Sequence, residues 1–333
     1  MTVVLAMVAR DEADILEAHL AFHLNAGVDL VLAIDHRSLD GTSEILERYA
    51  REGYARVFRE ESERHRQGKW MTALVRLAAT EHDADWVLLS DADEFWWPRG
   101  GSLREVLAAV PSRYGIVRAI GRYFVPRPDD GRSFAERMTV RLAPKAPIND
   151  PATPFRPVAK LALRAHPNVI VGSGNHTVEG IPFRTLGGWS PIELLHFPLR
   201  TPAQCARKYE KTWLAWERNL RGDLARARAV AEEGRAKTYY DRVVADDAAL
   251  ERGLADGTLA VDTRLRDALR TLAGAAVLPV DAPYRVSREL DLLELPAPTL
   301  RDDADYAVDA AVLREADLVR ARRHLDGLSR VFS

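Results

Sequence analysis

The first hundred residues alternate between two hydrophobic periods. Residues 3–9 form a continuous apolar run of strand length, which is typical of a strand buried on both faces. Residues 12–25 have apolar side chains at helical spacing, and Gly27 follows where a helix would end. The alternation continues and predicts strands over 30–34, 55–58 and 86–89 and helices over 43–50, 69–82 and 102–110. This pattern indicates an α/β fold with a mostly parallel, Rossmann-like sheet flanked by helices.

The pattern changes in the second part of the chain. Residues 115–197 are rich in proline, glycine and short β-prone runs, which indicates mixed strands joined by long loops. Thr201 followed by Pro202 is typical of a helix start. Helical patterns follow over 203–220, 223–233, 238–250, 262–273 and 304–328. We therefore divide the chain into an α/β domain over residues 1–200 and a helical C-terminal extension over residues 201–333.

Composition excludes several classes of protein. The 333 residues include 47 Lys+Arg and 49 Asp+Glu, so no bulk positive charge is present to hold nucleic acid, and we expect no nucleic-acid partner. The single cysteine, Cys205, excludes an intramolecular disulfide framework and fits a reducing compartment. No apolar stretch approaches the roughly 18 residues of a membrane span. The expectation is a cytoplasmic protein without a transmembrane segment.

An acidic cluster directly follows the strand predicted over 86–89. It contains Asp91, Asp93 and Glu94. Alternation along an extended chain puts Asp91 and Asp93 on one side, and carboxylate oxygens at this spacing can hold a hard divalent cation that also contacts phosphate. A solvated acidic turn is the alternative. The buried strand before the cluster and the aromatic residues after it favour a ligand site, because open α/β sheets bind ligands at the carboxyl ends of their strands.

Two further polar segments stand at predicted strand ends. Residues 10–12 follow the first strand, and Asp35 and His36 end the second. Asp40 and Thr42 are predicted to act as turn former and helix cap. No glycine-rich G-x-G-x-x-G lies between the first strand and its helix, and no P-loop motif occurs. A dinucleotide-binding or P-loop function therefore lacks its main sequence support.

The motifs at these three strand ends together resemble those of family 2-type glycosyltransferases. The matching runs are Arg10–Glu17, Asp35–Thr42 and Asp91–Phe95, and the last is similar to the DxDEF motif of a subgroup related to the family 92 type. The resemblance is specific over residues 3–97 and weaker beyond them. It implies a GT-A fold with a catalytic domain in residues 1–200, a UDP- or GDP-linked sugar donor, and Mn²⁺ or Mg²⁺.

The resemblance also implies contacts on the donor side. Asp91 would lie near the ribose or a metal-bound water, in addition to its predicted metal role. His36 stands where the family frequently has Asp, and Asp11 where it often has Asn, so the accepted base stays open. The residues implied to cradle the nucleobase and ribose are Ala9, Asp11, Glu12, Asp35 and His36.

Basic residues are concentrated at the start of the third predicted helix. Gln67 and Lys69 lie in this segment, and Gln67 matches the subgroup's usual glutamine. Arginine and lysine near helix N-terminal amides suit a diphosphate, with a solvated turn as the alternative. Farther along, His196 matches a segment that implies a third metal ligand beside Asp93, and Arg200 would face the leaving diphosphate together with Lys208.

The catalytic base is predicted from the irregular middle region. An inverting transfer needs a base on the acceptor side of the anomeric carbon, across from the diphosphate. Glu179 follows a segment that resembles the subgroup's G-x-H stretch, so it is the first candidate, with His176 second. Asp150 is a further alternative. Glu179 is equally compatible with a solvated loop carboxylate.

The sequence therefore predicts a metal-dependent glycosyltransferase that moves a sugar from a nucleoside diphosphate to an acceptor hydroxyl, with inversion. The acceptor, whether a glycan, a glycolipid or a small molecule, is not specified. A homodimer formed through the C-terminal helices is a possible assembly. Two other functions stay open, a nucleotidyltransferase on a similar fold and a noncatalytic protein that binds nucleotide sugars or carbohydrate. The lack of glycine in residues 9–12 argues against the first, and the intact acidic cluster against the second.

Overall fold

The computed structural model describes residues 1–143, 159–187, 190–208 and 244–274. The helices predicted over 223–233 and 304–328 lie outside these residues, as does Asp150. The homodimer through the C-terminal helices stays a prediction.

The described residues form short strands and helices that alternate from the N-terminus. The strands are β1 (Val3–Ala9), β2 (Leu30–Asp35), β3 (Ala55–Arg59), β4 (Trp86–Ser90), β5 (Glu94–Pro98), β6 (Tyr114–Tyr123), β7 (Val140–Leu142), β8 (Ala159–Arg164), β9 (Ile170–Val171), β10 (Val178–Glu179), β11 (Arg184–Thr185), β12 (Ile192–His196) and β13 (Leu259–Val261). The helices are α1 (Ala13–Asn25), α2 (Thr42–Arg51), α3 (Gln67–Glu81), α4 (Leu103–Ala108), α5 (Phe134–Arg137), α6 (202–208), α7 (Asp247–Ala255) and α8 (Arg264–Gly274). A 3₁₀ turn covers Ser173–Asn175.

One nine-stranded sheet organises the molecule. Its order is β3-β2-β1-β4-β8-β6-β12-β5, and β11 pairs with β6 off this path. The half built from β3, β2, β1 and β4 is parallel, whereas β8 runs antiparallel to both β4 and β6. The predicted α/β class, a mostly parallel sheet flanked by helices, is confirmed.

The alternating side chains of β1 explain why this sheet is covered on both faces. Leu5 and Met7 pack into a core that includes the apolar side of α1. Val4 and Ala6 point the other way, into a second core that includes Met71 of α3. All four β1 side chains have no exposed surface. Burial on both faces is why the strand reads as an unbroken apolar run rather than an alternating one.

Several element boundaries depend on local capping. Ser102 and Glu105 form the predicted capping box at α4. Thr201 Oγ1 accepts from the Gln204 backbone N–H at 3.0 Å, which confirms the predicted start of α6. The helix predicted over 238–250 instead begins at residue 247 within the described chain, because Asp246 accepts from Ala249 N at 2.7 Å and fixes the helix start there.

The described part of the predicted C-terminal extension packs against the α/β sheet elements. β13 pairs antiparallel with β7, and Arg264 of α8 donates to buried Glu193 of β12 at 2.7 Å. Burial alone would raise the pKa of Glu193, but the guanidinium groups of Arg122, Arg264 and Arg99 hold it well below its usual range. Among the described residues no helix is both long and apolar enough to cross a membrane.

Candidate active site

Side chains that follow β2 accept hydrogen bonds from the start of α1 at the carboxyl edge of the sheet. Thr42 Oγ1 accepts from Glu12 N at 2.8 Å, and Asp40 Oδ2 accepts from Ala13 N at 3.2 Å. Asp11 accepts from Leu39 N at 2.6 Å and has a left-handed φ of 54°. Asp40 and Thr42 therefore have the structural role predicted for them, although they cap the neighbouring helix α1. These hydrogen bonds fix the carboxyl ends of β1 and β2 relative to each other.

Asp91 is held by side chains from three separate segments. Lys160 Nζ of β8 lies 2.5 Å from Asp91 Oδ2 and 3.4 Å from Glu94 Oε1. Gln67 Nε2 of α3 donates to Asp91 Oδ1 at 3.0 Å, and Asn175 Nδ2 approaches the same oxygen at 3.4 Å. Burial would lower the pKa of Lys160, but the two carboxylates raise it above its ordinary value. Asp91 is thus oriented by protein donors on both of its oxygens.

The loop that carries Asn175 is shaped to reach Asp91. Asn175 is fully buried and has a left-handed φ of 64°, a conformation that asparagine tolerates better than most residues. Gly174 beside it also has a positive φ and donates its backbone N–H to Gln67 Oε1 at 3.1 Å. His176 connects this turn to the start of β8, because its Nδ1 lies 2.9 Å from Ala159 O.

Asp93 is a buried carboxylate of the acidic cluster. Its Oδ1 lies 3.5 Å from His196 Nε2, and its Oδ2 contacts Lys208 Nζ and lies 3.9 Å from Arg200 Nη1. Burial would raise the pKa of Asp93, but the positive charges of Lys208 and Arg200 and the hydrogen bond with His196 hold it well below its usual range. Glu94 differs, because burial raises its pKa to about 7 despite Lys160.

Arg200 is buried and forms internal ion pairs with the start of α1 instead of lining the cleft. Its side chain has no exposed surface, and it makes a bidentate pair with Asp14 at 2.7 and 2.8 Å. It also contacts Glu12 and donates to Phe197 O at 3.0 Å. Planar two-point pairing of this kind fixes orientation, so Arg200 locks the start of α1 to the segment after β12.

These groups surround one cleft of about 480 Å³ at the carboxyl edge of the parallel strands. The predicted site residues in its lining are Ala9, Asp11, Glu12, His36, Gln67, Asp91, Asp93, His196 and Lys208. The cleft lies where the fold was expected to bind its ligand. The fold therefore brings together side chains that are far apart in the sequence, such as Ala9 and Lys208.

Other predicted site residues lie outside the lining that the described residues define. Asp35 is buried and accepts from Ser38 N and Ser43 Oγ, so it organises the loop after β2. Lys69 is exposed on the first turn of α3, and Glu179 is exposed on β10. His176 supports the 3₁₀ turn, and Arg200 is the internal brace. Their predicted donor or catalytic contacts stay predictions.

The cleft also has lining residues that were not predicted. Arg10, His65, Ser173, Gly174, Pro198, Gln204 and Arg207 belong to it. Arg10 directly follows β1, and His65 lies just before α3. A polar side chain next to a strand end or a helix start could therefore have identified both residues from the sequence. Gln204 and Arg207 come from α6, and only the fold places that helix over the strand ends.

The residues present are suited to a divalent cation at one position. Asp93 Oδ1 and His196 Nε2 lie 3.5 Å apart in the lining, and neighbouring ligands of an ion bound at about 2.1 Å lie about 3 Å apart. Mg²⁺-type sites commonly use one or two protein groups and complete the shell with phosphate and water. No group of three or more metal-binding side chains occurs among the described residues. Asp91, predicted as a ligand, is occupied by Lys160, Gln67 and Asn175.

The chain matches no protein-family model and no curated protein. Solved structures are similar at low identity. Residues 1–349 of S. aureus TarS in complex with UDP share 14% identity over 77% of this chain and 72% of that chain, with a TM-score of 0.35. Glucosyl-3-phosphoglycerate synthase from Mycobacterium tuberculosis, with Mn²⁺, UDP and glucosyl-3-phosphoglycerate, shares 21% identity over 37% of this chain and 44% of that chain, with a TM-score of 0.27. A mycobacterial protein shares 15% identity over 67% and 76%, with a TM-score of 0.29. All three scores are below 0.5, so function has to be argued from the side chains of the cleft.

Proposed function

We propose that the protein is a metal-dependent glycosyltransferase of the GT-A type that uses a nucleoside-diphosphate sugar. The observation that carries the proposal is the pairing of Asp93 Oδ1 with His196 Nε2 at 3.5 Å in a cleft that also contains Arg10, Arg207 and Lys208. A carboxylate and an imidazole offer ligands to a cation, and the basic side chains offer charge to a diphosphate. Few ligands other than a metal–diphosphate require both cation-binding and basic side chains.

The cleft suggests how the donor lies. Asp93 and His196 would hold Mn²⁺ or Mg²⁺, which when bound stabilises the negative charge that develops on the departing diphosphate. Lys208 and Arg207 of α6 stand on the same side and would contact the phosphate oxygens. Since α6 also provides Gln204, the diphosphate would lie between the acidic cluster and this helix.

The nucleobase would lie at the ends of β1 and β2. His36 and His65 line the cleft there, and the rings of both pack near Trp70, with centroid distances of 4.7 and 5.5 Å. His36 Nε2 is fixed by Ser62 O at 2.8 Å, and burial lowers its pKa, so it is neutral at pH 7. Aromatic rings beside backbone amides suit a planar base of either the UDP or the GDP type.

Transfer would proceed with inversion, through one displacement by the acceptor hydroxyl. Asp93 would hold the cation, and Asp91 is held by Lys160, so neither would be free to take the acceptor's proton. Glu179 and His176 are the candidates from the sequence. A base has to reach the acceptor oxygen within hydrogen-bond distance, and this requirement makes Glu179 directly testable.

The proposal is tested by incubating the protein with a panel of nucleotide sugars and Mn²⁺ and measuring release of the free nucleoside diphosphate. UDP-sugars are the first probes, followed by GDP-sugars. Release that requires Mn²⁺ and is lost in Asp93→Asn supports the proposal. Binding of nucleotide without any release would instead indicate a noncatalytic nucleotide-sugar-binding protein. Release of pyrophosphate from a nucleoside triphosphate and a sugar phosphate would indicate a nucleotidyltransferase.

A further inference from the structure

Both acids of the D-x-D motif are neutralised by a lysine, but the two lysines differ in how they are held. Lys160 contacts Asp91 and has only 4% of its side chain exposed. Its ammonium is also 3.4 Å from Glu94, so two carboxylates hold it. Lys208 contacts Asp93 and has 37% of its side chain exposed. The lysine on the candidate metal ligand is therefore the one with room to move.

Lys208 and a divalent cation compete for the same carboxylate. Two positive groups within about 4–6 Å of each other disfavour the simultaneous presence of both charges. A cation shared by Asp93 and His196 would be this close to the Lys208 ammonium, since the ammonium contacts the other oxygen of Asp93. Binding of the cation therefore weakens the contact between Lys208 and Asp93.

Arg200 is also close to Asp93 within the described residues, but it has no comparable freedom. Arg200 is fixed by its bidentate pair with Asp14, by Glu12 and by Phe197 O, and lies 3.9 Å from Asp93 Oδ2. Lysine instead carries a compact charge on a flexible four-carbon stem. Lys208 lines the cleft beside Arg207 and Gln204, so its ammonium can turn toward a ligand there without leaving the site.

We propose that Lys208 is an exchangeable counterion, which neutralises Asp93 in the empty site and transfers to the diphosphate of the donor when a divalent cation binds Asp93. This inference rests on the proposed function, because it takes the metal and a nucleoside diphosphate as the ligands. Its consequence is that metal and nucleotide promote each other's binding. Metal binding releases the ammonium that the diphosphate uses, and by linkage the diphosphate favours the metal to the same degree.

The test measures two affinities in the full-length protein. Mn²⁺ alone is titrated by calorimetry and by the loss of its free electron-spin resonance signal, and UDP is then titrated at saturating Mn²⁺. In Lys208→Met, Mn²⁺ alone should bind about tenfold more tightly than in the wild type, and UDP with Mn²⁺ about tenfold more weakly, within the range typical of coupled sites. The opposite signs distinguish exchange from general damage to the site, which would weaken both.

Two variants control for charge and folding. Arg207→Met removes one positive charge from the same helix and the same cleft, but no ion pair of Arg207 occurs among the described residues. It should change the affinity for Mn²⁺ alone less than about twofold, which is the size of a screened charge effect. Lys208→Arg keeps the charge and should keep Mn²⁺ binding near the wild-type value. Circular dichroism verifies that each variant is folded.

The outcomes separate this inference from the proposed function. If the wild type binds both ligands and Lys208→Met leaves Mn²⁺ affinity unchanged or weaker, the exchange is contradicted while the proposed function stands. Equal tightening of Mn²⁺ binding in Arg207→Met and Lys208→Met also contradicts it, since bulk charge then explains the effect. If the wild type binds neither Mn²⁺ nor UDP, the proposed function fails and the exchange fails with it.

Discussion

The backbone N–H of Trp96 donates to His23 Nε2 at 3.0 Å, so helix α1 supplies a hydrogen-bond acceptor to strand β5. β5 pairs with β12 along its other edge. His23 Nδ1 in turn lies 2.7 Å from His19 O, which fixes the neutral tautomer with the proton on Nδ1. One turn earlier, His19 Nε2 lies 3.2 Å from Ser90 Oγ. Two histidines of α1 thus hold both sides of the turn that carries Asp91 and Asp93.

This arrangement predicts a loss of stability in acid. Burial lowers the pKa of His19 to about 3 and that of His23 well below its usual range. A histidine whose pKa is lower in the folded than in the unfolded protein stabilises the fold fully above about pH 6.5, and this contribution falls as the pH drops below that value. Each histidine contributes a slope of about 1.4 kcal/mol per pH unit there.

His23→Gln isolates one of these contributions, because a glutamine oxygen can still accept from Trp96 N. Urea unfolding at pH 7 and pH 5 measures the change. From pH 7 to pH 5 the wild type should lose about 2 kcal/mol more of its free energy of unfolding than His23→Gln does. Equal losses in the two proteins would show that His23 is not held neutral by the fold.

Lys160 gives a second prediction. Its buried ammonium contacts half-buried Asp91 and lies 3.4 Å from buried Glu94, so Lys160→Met leaves both carboxylates without their cation. Removing one partner of a buried ion pair typically costs several kcal/mol, and we expect a loss of about 3 kcal/mol in the free energy of unfolding at pH 7. Lys69→Met, on the exposed first turn of α3, is the matched control and should stay within about 0.5 kcal/mol of the wild type. Similar values for the two variants would contradict the role of Lys160.

The sequence predicted the parallel half of the fold well, for a physical reason. β1 and β4 are buried on both faces, so each reads as an apolar run, and the helices between the strands show their own period. β5 was not predicted, although its residues are as buried as those of β4. Its partners, β12 and His23, are distant in the sequence, and no local pattern indicates a pairing of that kind.

In the candidate site too, some residues could be predicted from the sequence and others could not. Asp91 and Asp93 could be found because they directly follow a predicted strand, whose carboxyl end is a binding edge. Their partners could not be found locally, because Lys160 and Lys208 lie 69 and 115 positions from the acids they contact. A carboxylate that neighbours a strand end indicates a site, but only the fold determines which cation neutralises it.

The substitution Glu179→Gln tests whether Glu179 is the catalytic base, as the sequence predicts. A general base contributes about 10²–10⁴-fold to transfer, so Glu179→Gln would lose that factor if the prediction holds. The structure places Glu179 on the exposed strand β10, outside the lining of the cleft in the described residues. We therefore expect transfer within about threefold of the wild type, measured as nucleoside-diphosphate release with acceptor present. A loss of 10²-fold or more with unchanged UDP binding would return the role of base to Glu179.

We propose that Asp93 and His196 hold a divalent cation against the diphosphate of a nucleotide-sugar donor. This is tested by a crystal structure of the protein soaked with UDP and Mn²⁺, with diffraction data collected at the manganese absorption edge. We expect one anomalous peak bonded to Asp93 Oδ1 and His196 Nε2, with the UDP diphosphate completing its coordination inside the cleft. A manganese peak bonded to neither residue, or UDP bound outside the cleft, would contradict it.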